Sequence, residues 1–222
     1  MPYVLQIPLG ECGVGLWVHG RHFGIIATEP CRSGLKITYS IDPATGLVAG
    51  IRQVLTSHCD ARPARAVPEL IVVHGISLPP GEFGGPWIEQ FFTGDLPPEA
   101  HPYFKEIAGL RVSAHVLIQR RGTPVQFVPF GQRAWHAGLS SWRGRNACND
   151  FSVGIELEGT DTDPYEAPQY ETLAALIEAL CQTYTTLSYQ AIVGHSDIAP
   201  GRKSDPGKSF SWPKLRALLA AV

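Results

Sequence analysis

A chain of 222 residues that is 44% hydrophobic and 17% charged has the material for one globular domain with a sizeable core. Its formal net charge of −2 offers no basic field for nucleic acid or an anionic membrane surface, and no apolar run approaches the roughly 20 residues that span a bilayer. Five cysteines (Cys12, Cys31, Cys59, Cys148, Cys181) are odd in number and irregularly spaced. That pattern gives neither a disulfide framework nor a CxxC metal site, and it fits a reducing cytoplasm.

Residues 1–45 are Gly-rich and carry few charges, with short β-like pieces such as "HFGIIATEP" and "LKITYSI". They read as an N-terminal extension to which the sequence assigns no order, ahead of a domain over 46–222. No Lys or Arg precedes the first apolar pieces, and Pro8, Gly10 and Gly13 interrupt them, so no secretory signal is expected. "ELIVVHG" (69–75) is a short apolar, β-branched run that predicts a buried strand ending on His74. "RVSAHVLIQRRGTPVQFVPF" (111–130) predicts two strands around an Arg121–Gly122 turn. In "FSVGIELEG" (151–159), Phe151, Val153, Ile155 and Leu157 alternate with Ser152, Gly154, Glu156 and Glu158, which predicts a strand with one polar face. "APQYETLAALIEALCQTY" (167–184) carries Tyr170, Leu173, Leu176, Ile177, Leu180 and Tyr184 on one helical stripe, with Pro168 in the first turn. "YQAIVGH" (189–195) is a second buried-strand pattern ending on a histidine, and "SWPKLRALLAAV" closes the chain as a helix capped by Ser211. Strands alternating with helices predict an α/β fold: a single domain with a central mixed β-sheet flanked by helices.

The chemistry concentrates at the two strand-end histidines. If those strands are neighbours, His74 and His195 project into one crevice, and a catalytic Zn²⁺ takes three protein ligands plus water. A third ligand must come from elsewhere. The stretch "GHSDIAPGRKSDPG" (194–207), which Pro200, Gly201, Pro206 and Gly207 exclude from being one regular helix or strand, offers two aspartates. Asp197 would need a tight hairpin to share a metal with His195. Asp205, fixed by Pro206 and Gly207, reaches it if the loop doubles back, and spacing leaves both open. Taken alone, a histidine at a strand end is more often a satisfied structural residue than a ligand. Glu156 and Glu158 share one strand face about 7 Å apart. One of them beside a metal suits a general base, and Lys203 suits the stabilisation of an oxyanion. Without a metal, the same carboxylates resemble a glycosidase pair, and a solvated strand face would also explain them.

The stretches "VVHGISLPPGEFGGPWIEQFFTG", "HPYFKEIAGLRVSAHVLIQRRG", "VPFGQRAWHAGLS", "CNDFSVGIELEGTDTDPY" and "GHSDIAPGRKSDPG" closely resemble the cytoplasmic 1,6-anhydro-N-acetylmuramyl-L-alanine amidases. These belong to the type 2 zinc amidases, a superfamily shared with phage amidases and peptidoglycan recognition proteins. The resemblance runs from about residue 46 to about residue 219. It implies His74, His195 and Asp205 as zinc ligands and Glu156 and Lys203 as the catalytic pair. It also implies hydrolysis of the lactyl–L-alanine amide of anhydromuropeptides during cell-wall recycling, by a cytoplasmic enzyme; a monomer is expected, and the charge and hydropathy above predict no nucleic-acid or membrane partner. Asp197 then becomes a residue that braces the loop. Arg111, Trp135 and Arg145 are expected to contact the substrate, the arginines through its carboxylates and Trp135 through its apolar face. His115 and His136 are expected to be structural or to support the ligands. Two positions depart from the family pattern: Gly75 stands where the best-known members carry Asn, and Ala147 where an Arg often stands.

Overall fold

The computed structural model describes residues 15–19, 22–26 and 37–221, and chain contacts divide it into Met1–Lys36 and Ile37–Val222. In the first unit, β1 (Gly15–His19) pairs antiparallel with β2 (His22–Ile26). The rest of the expected N-terminal extension, up to residue 36, lies outside the described residues.

The second unit opens with a hairpin of β3 (Ile41–Asp42) and β4 (Leu47–Val48). The Asp42 side chain accepts hydrogen bonds from the Ala44 N–H and the Thr45 hydroxyl, closing the turn. Ile41 and Val48 are buried in the main core, so the core reaches N-terminal to the boundary at 46. There follow β5 (Arg52–Gln53), β6 (Cys59–Ala61), β7 (Leu70–Ile76), the helices α1 (Trp87–Thr93) and α2 (Pro102–Ile107), β8 (Val116–Ile118) and β9 (Pro124–Gln126). The chain continues through β10 (Gln132–Ala134), β11 (Ser141–Trp142), β12 (Arg145–Asn146), β13 (Ser152–Glu158), α3 (Ala167–Thr183), β14 (Ile192–Gly194), a single turn α4 (His195–Ile198) and α5 (Trp212–Ala220).

Among the described residues the central sheet has six strands in the order β14-β7-β13-β8-β9-β5. β14, β7, β13 and β8 run parallel, whereas β8 and β9 form an antiparallel pair. This is a mixed α/β sheet flanked by helices. Leu70–Val73 is apolar throughout because β7 lies between two strands with both faces covered.

The polar alternation in β13 does not mark a solvated face, because all seven of its residues are buried. Val153, Ile155 and Leu157 pack with Leu173, Leu176, Ile177 and Leu180 of α3. The opposite row holds Ser152, Gly154 and Glu156, and at Gly154 any Cβ would come within 2.4 Å of the His136 ring. That polar row is roofed by protein rather than water, and so it carries the site.

Gln169 joins α3 to the sheet. Its Oε1 accepts from the Glu166 N–H at the helix start, while its Nε2 donates to the carbonyls of Ile118 and Glu158 at two strand ends. α5 begins where Ser211 Oγ accepts from the Lys214 N–H, and it buries Leu215 and Leu219. No helix among the described residues is long and apolar enough to cross a membrane.

Candidate metal centre and groove

β7 and β14 are parallel neighbours, with Val73 opposite Gly194. Their C-terminal ends therefore deliver His74 and His195 to one place. His195 is the first residue of α4, a turn within the stretch whose prolines and glycines exclude longer regular structure. Asp197 Oδ2 accepts from the Gly194 N–H at 2.7 Å and caps that turn. The chain then returns: Lys203 N–H donates to the Ala199 carbonyl and Ser196 N–H to the Asp205 carbonyl. This brings the Asp205 carboxylate back to the histidines.

His74 Nδ1 and His195 Nδ1 lie 3.0 Å apart, and each is 3.1 Å from Asp205 Oδ2. Tetrahedral zinc with bonds of about 2.0–2.1 Å spaces its ligand atoms at about 3.3 Å, so this triangle of two nitrogens and one oxygen fits that ion. Two of the donors are tuned by their surroundings. Burial pushes the His74 imidazole down from 6.5 to about 4, which leaves it neutral. Burial alone would raise the Asp205 carboxyl, but its contacts with His195 and His74 hold it well below the ordinary range.

Glu156 sits opposite His74 in the β13–β7 register, with Oε1 4.0 Å from His74 Nδ1. Its Oε2 is buried and has no protein hydrogen-bond partner. Burial first, and then the Asp205 charge, raise its pKa well above the ordinary value, with Lys203 opposing. Glu158 is buried too, but its two oxygens accept from the backbone N–H groups of Gly84 and Arg120. Two carboxylates that look equivalent in the strand pattern thus have different employment. Lys203 is exposed and lines the same groove as the triad and Glu156, a cleft of about 690 Å³.

Trp135 forms part of the groove wall, with Nε1 donating to Asp60 Oδ1 at 3.2 Å. The Arg111 guanidinium stacks 5.4 Å from the Trp135 ring centre, at that end of the groove. Arg145 stands apart from the groove walls: it pairs with Glu69 at 2.6 Å and lies over the Phe151 ring. Ala147 holds a left-handed backbone at φ +58°. At Gly75 a Cβ would fall 2.2 Å from the Tyr165 hydroxyl, which donates to the Pro206 carbonyl beside Asp205. Sequence reasoning missed Tyr165. The only signal for it, a side chain absent at 75, points to a residue far along the chain.

Residues 63–208 match the family model described as N-acetylmuramoyl-L-alanine amidase. The 1,6-anhydro-N-acetylmuramyl-L-alanine amidase AmpD of Escherichia coli K12 is 57% identical over 175 residues, covering 79% of this chain and 95% of that protein. A crystal structure of a selenomethionine derivative of AmpD superposes with a TM-score of 0.78 at 57% identity, over 81% of this chain and 98% of the other. E. coli AmiD, solved with the substrate anhydro-N-acetylmuramic acid-L-Ala-D-gamma-Glu-L-Lys, aligns with a TM-score of 0.51 at 27% identity, over 71% of this chain and 60% of that one.

Proposed function

The chain belongs to the N-acetylmuramoyl-L-alanine amidase family, and from that premise we propose that it is a zinc-dependent 1,6-anhydro-N-acetylmuramyl-L-alanine amidase. It cleaves the amide between the lactyl group of anhydromuramic acid and L-alanine, releasing the stem peptide for cell-wall recycling. Water adds its oxygen to the lactyl carbonyl carbon, and the alanine nitrogen leaves as an amine. The observation that carries this reading is the convergence of His74 Nδ1, His195 Nδ1 and Asp205 Oδ2 beside the partnerless Glu156 Oε2.

His74, His195 and Asp205 are the zinc ligands. Zinc held there supplies Lewis acidity, polarising the lactyl carbonyl and activating water near neutral pH. Glu156 takes the proton from the attacking water and delivers it to the departing alanine nitrogen, and its unshared, buried carboxylate suits that task. The Lys203 ammonium stabilises the negative oxygen that develops on the carbonyl. Trp135 offers an apolar face to sugar or peptide. Arg111, stacked on Trp135, meets a stem-peptide carboxylate at that end of the groove. Arg145, occupied by Glu69, is assigned no substrate contact. The enzyme acts as a cytoplasmic monomer.

Mass spectrometry of the products formed from 1,6-anhydro-N-acetylmuramyl-L-alanyl peptide tests the reading. Anhydromuramic acid together with a peptide bearing a free N-terminal alanine supports it. Cleavage of a sugar linkage, or tight binding of intact substrate with no turnover, overturns it.

A further inference from the structure

The two imidazoles of the triad are gripped from behind by consecutive residues of one turn. A neutral imidazole carries a single N–H, so the partner of one nitrogen decides whether the other has a free lone pair. His195 Nε2 faces the Ala137 carbonyl at 3.1 Å. A carbonyl only accepts, so with the proton on Nε2 the Nδ1 lone pair points at the triad, the tautomer that a metal held there requires. Arg202 Nη2, a donor 3.4 Å from the same nitrogen, is itself bonded to that carbonyl at 2.6 Å. His74 Nε2 faces His136 Nδ1 at 2.9 Å, and His136 Nε2 faces Ser152 Oγ at 3.1 Å. With the His74 proton on Nε2, His136 Nδ1 accepts it and His136 Nε2–H donates to Ser152. That leaves His74 Nδ1 free as well. His136 Nδ1 and Ala137 O therefore direct both Nδ1 atoms to the same point.

The turn that carries these acceptors has its own anchor. Asn149 Oδ1 accepts from the N–H groups of both His136 and Ala137, at 3.1 and 2.8 Å. Arg202 holds the far side, donating from Nη2 to the carbonyls of Ala137 and Leu139 at 2.6 Å. Gly154 leaves room for the His136 ring. Asn149 touches neither histidine of the triad, yet it pins the backbone from which both are oriented.

We infer that Asn149 is a positioning residue for the metal centre, one side-chain oxygen fixing the His136–Ala137 turn and through it the Nδ1-facing orientation of His74 and His195. This rests on the zinc-amidase reading. Outer partners of metal-bound histidines typically alter metal affinity by about 10–100-fold when removed.

The test measures zinc affinity by chelator competition and the visible spectrum of the Co²⁺-substituted protein, with thermal melts as a check on folding. Asn149→Ala, which lacks the acceptor, is expected to weaken zinc by about 10–100-fold and to change the cobalt spectrum. Asn149→Asp keeps an oxygen acceptor and is expected to restore both. Zinc affinity and a cobalt spectrum in Asn149→Ala equal to those of the parent overturn the inference. If Asn149→Ala fails to fold, His136→Asn, which places an oxygen near the Nδ1 position, is compared with His136→Leu. Retention in the first and loss in the second support the inference, and equal affinities overturn it. A parent protein that binds no zinc overturns the amidase reading itself, and this inference with it.

Discussion

β13 has a buried polar cluster at each end, and the two are built on opposite terms. At its start, the Arg62 guanidinium donates to the carbonyls of Phe130, Asn149, Asp150 and Ser152. Beside it, His115 accepts from the Gly154 N–H at Nδ1 and faces the Gln132 carbonyl with Nε2. Burial draws Arg62 down to about 10, still charged near neutral pH, and its carbonyl partners offset the desolvation. At the other end, His74, His195 and Asp205 turn their acceptor atoms toward one another, and Glu156 Oε2 has no partner. The first cluster is saturated and stabilises the fold. The second is in deficit, and a buried deficit of this kind marks a place where something else must bind or react.

If that contrast is right, substitutions at the two ends separate stability from chemistry. The largest effect is expected from Glu156→Gln: turnover falls by about 10²–10⁴-fold, zinc stays bound, and the melting temperature holds or rises because a poorly solvated carboxylate is gone. Loss of zinc or of folding in this variant would break the contrast. Arg62→Met is expected to cost about 2–4 kcal/mol in denaturant unfolding, since it strands several buried carbonyls at once. Turnover per folded molecule should fall far less than in Glu156→Gln.

His115 sharpens the same comparison through pH. Burial first, and then the nearby Arg62 charge, push its pKa from 6.5 down to about 3. Between those values the unfolded chain binds a proton that the folded chain refuses. Stability is therefore full above pH 6.5 and declines as pH falls toward 3. His115→Gln removes up to one proton from the pH slope of the unfolding free energy, and an unchanged slope would show that His115 titrates normally. The smallest effect is expected at the N-terminus. Removing residues 1–36 should leave turnover and melting unchanged, whereas removal through residue 44 also takes Ile41 from the core and costs about 2 kcal/mol or more.

Much of the sheet was legible because its signals are local. Continuous apolar runs marked β7 and β14, and each pointed to the histidine that its strand delivers. Register and partnership were not legible. Glu156 and Glu158 read alike along β13, and only Gly84 and Arg120, contributed by remote loops, tell them apart. Asp197 and Asp205 stayed level on spacing because the Gly and Pro content of 194–207 hid the single turn that Asp197 caps. Nothing in the sequence singles out Arg62, since the carbonyls it binds come from segments far along the chain. The Asn149 contact was invisible for the same reason, although "RAWHAG" and "CNDFSVG" stood out as stretches that carry the family resemblance.

On the proposed zinc-amidase reading, one zinc ion meets the deficit at the His74 end of β13, and amide hydrolysis depends on it. Turnover of anhydromuramyl-L-alanyl peptide by chelator-stripped protein, followed as zinc is added back, tests this most directly. No turnover is expected at the start, followed by a linear rise with added zinc and saturation at one equivalent. Full turnover in the stripped protein, or none at saturating zinc, would contradict it.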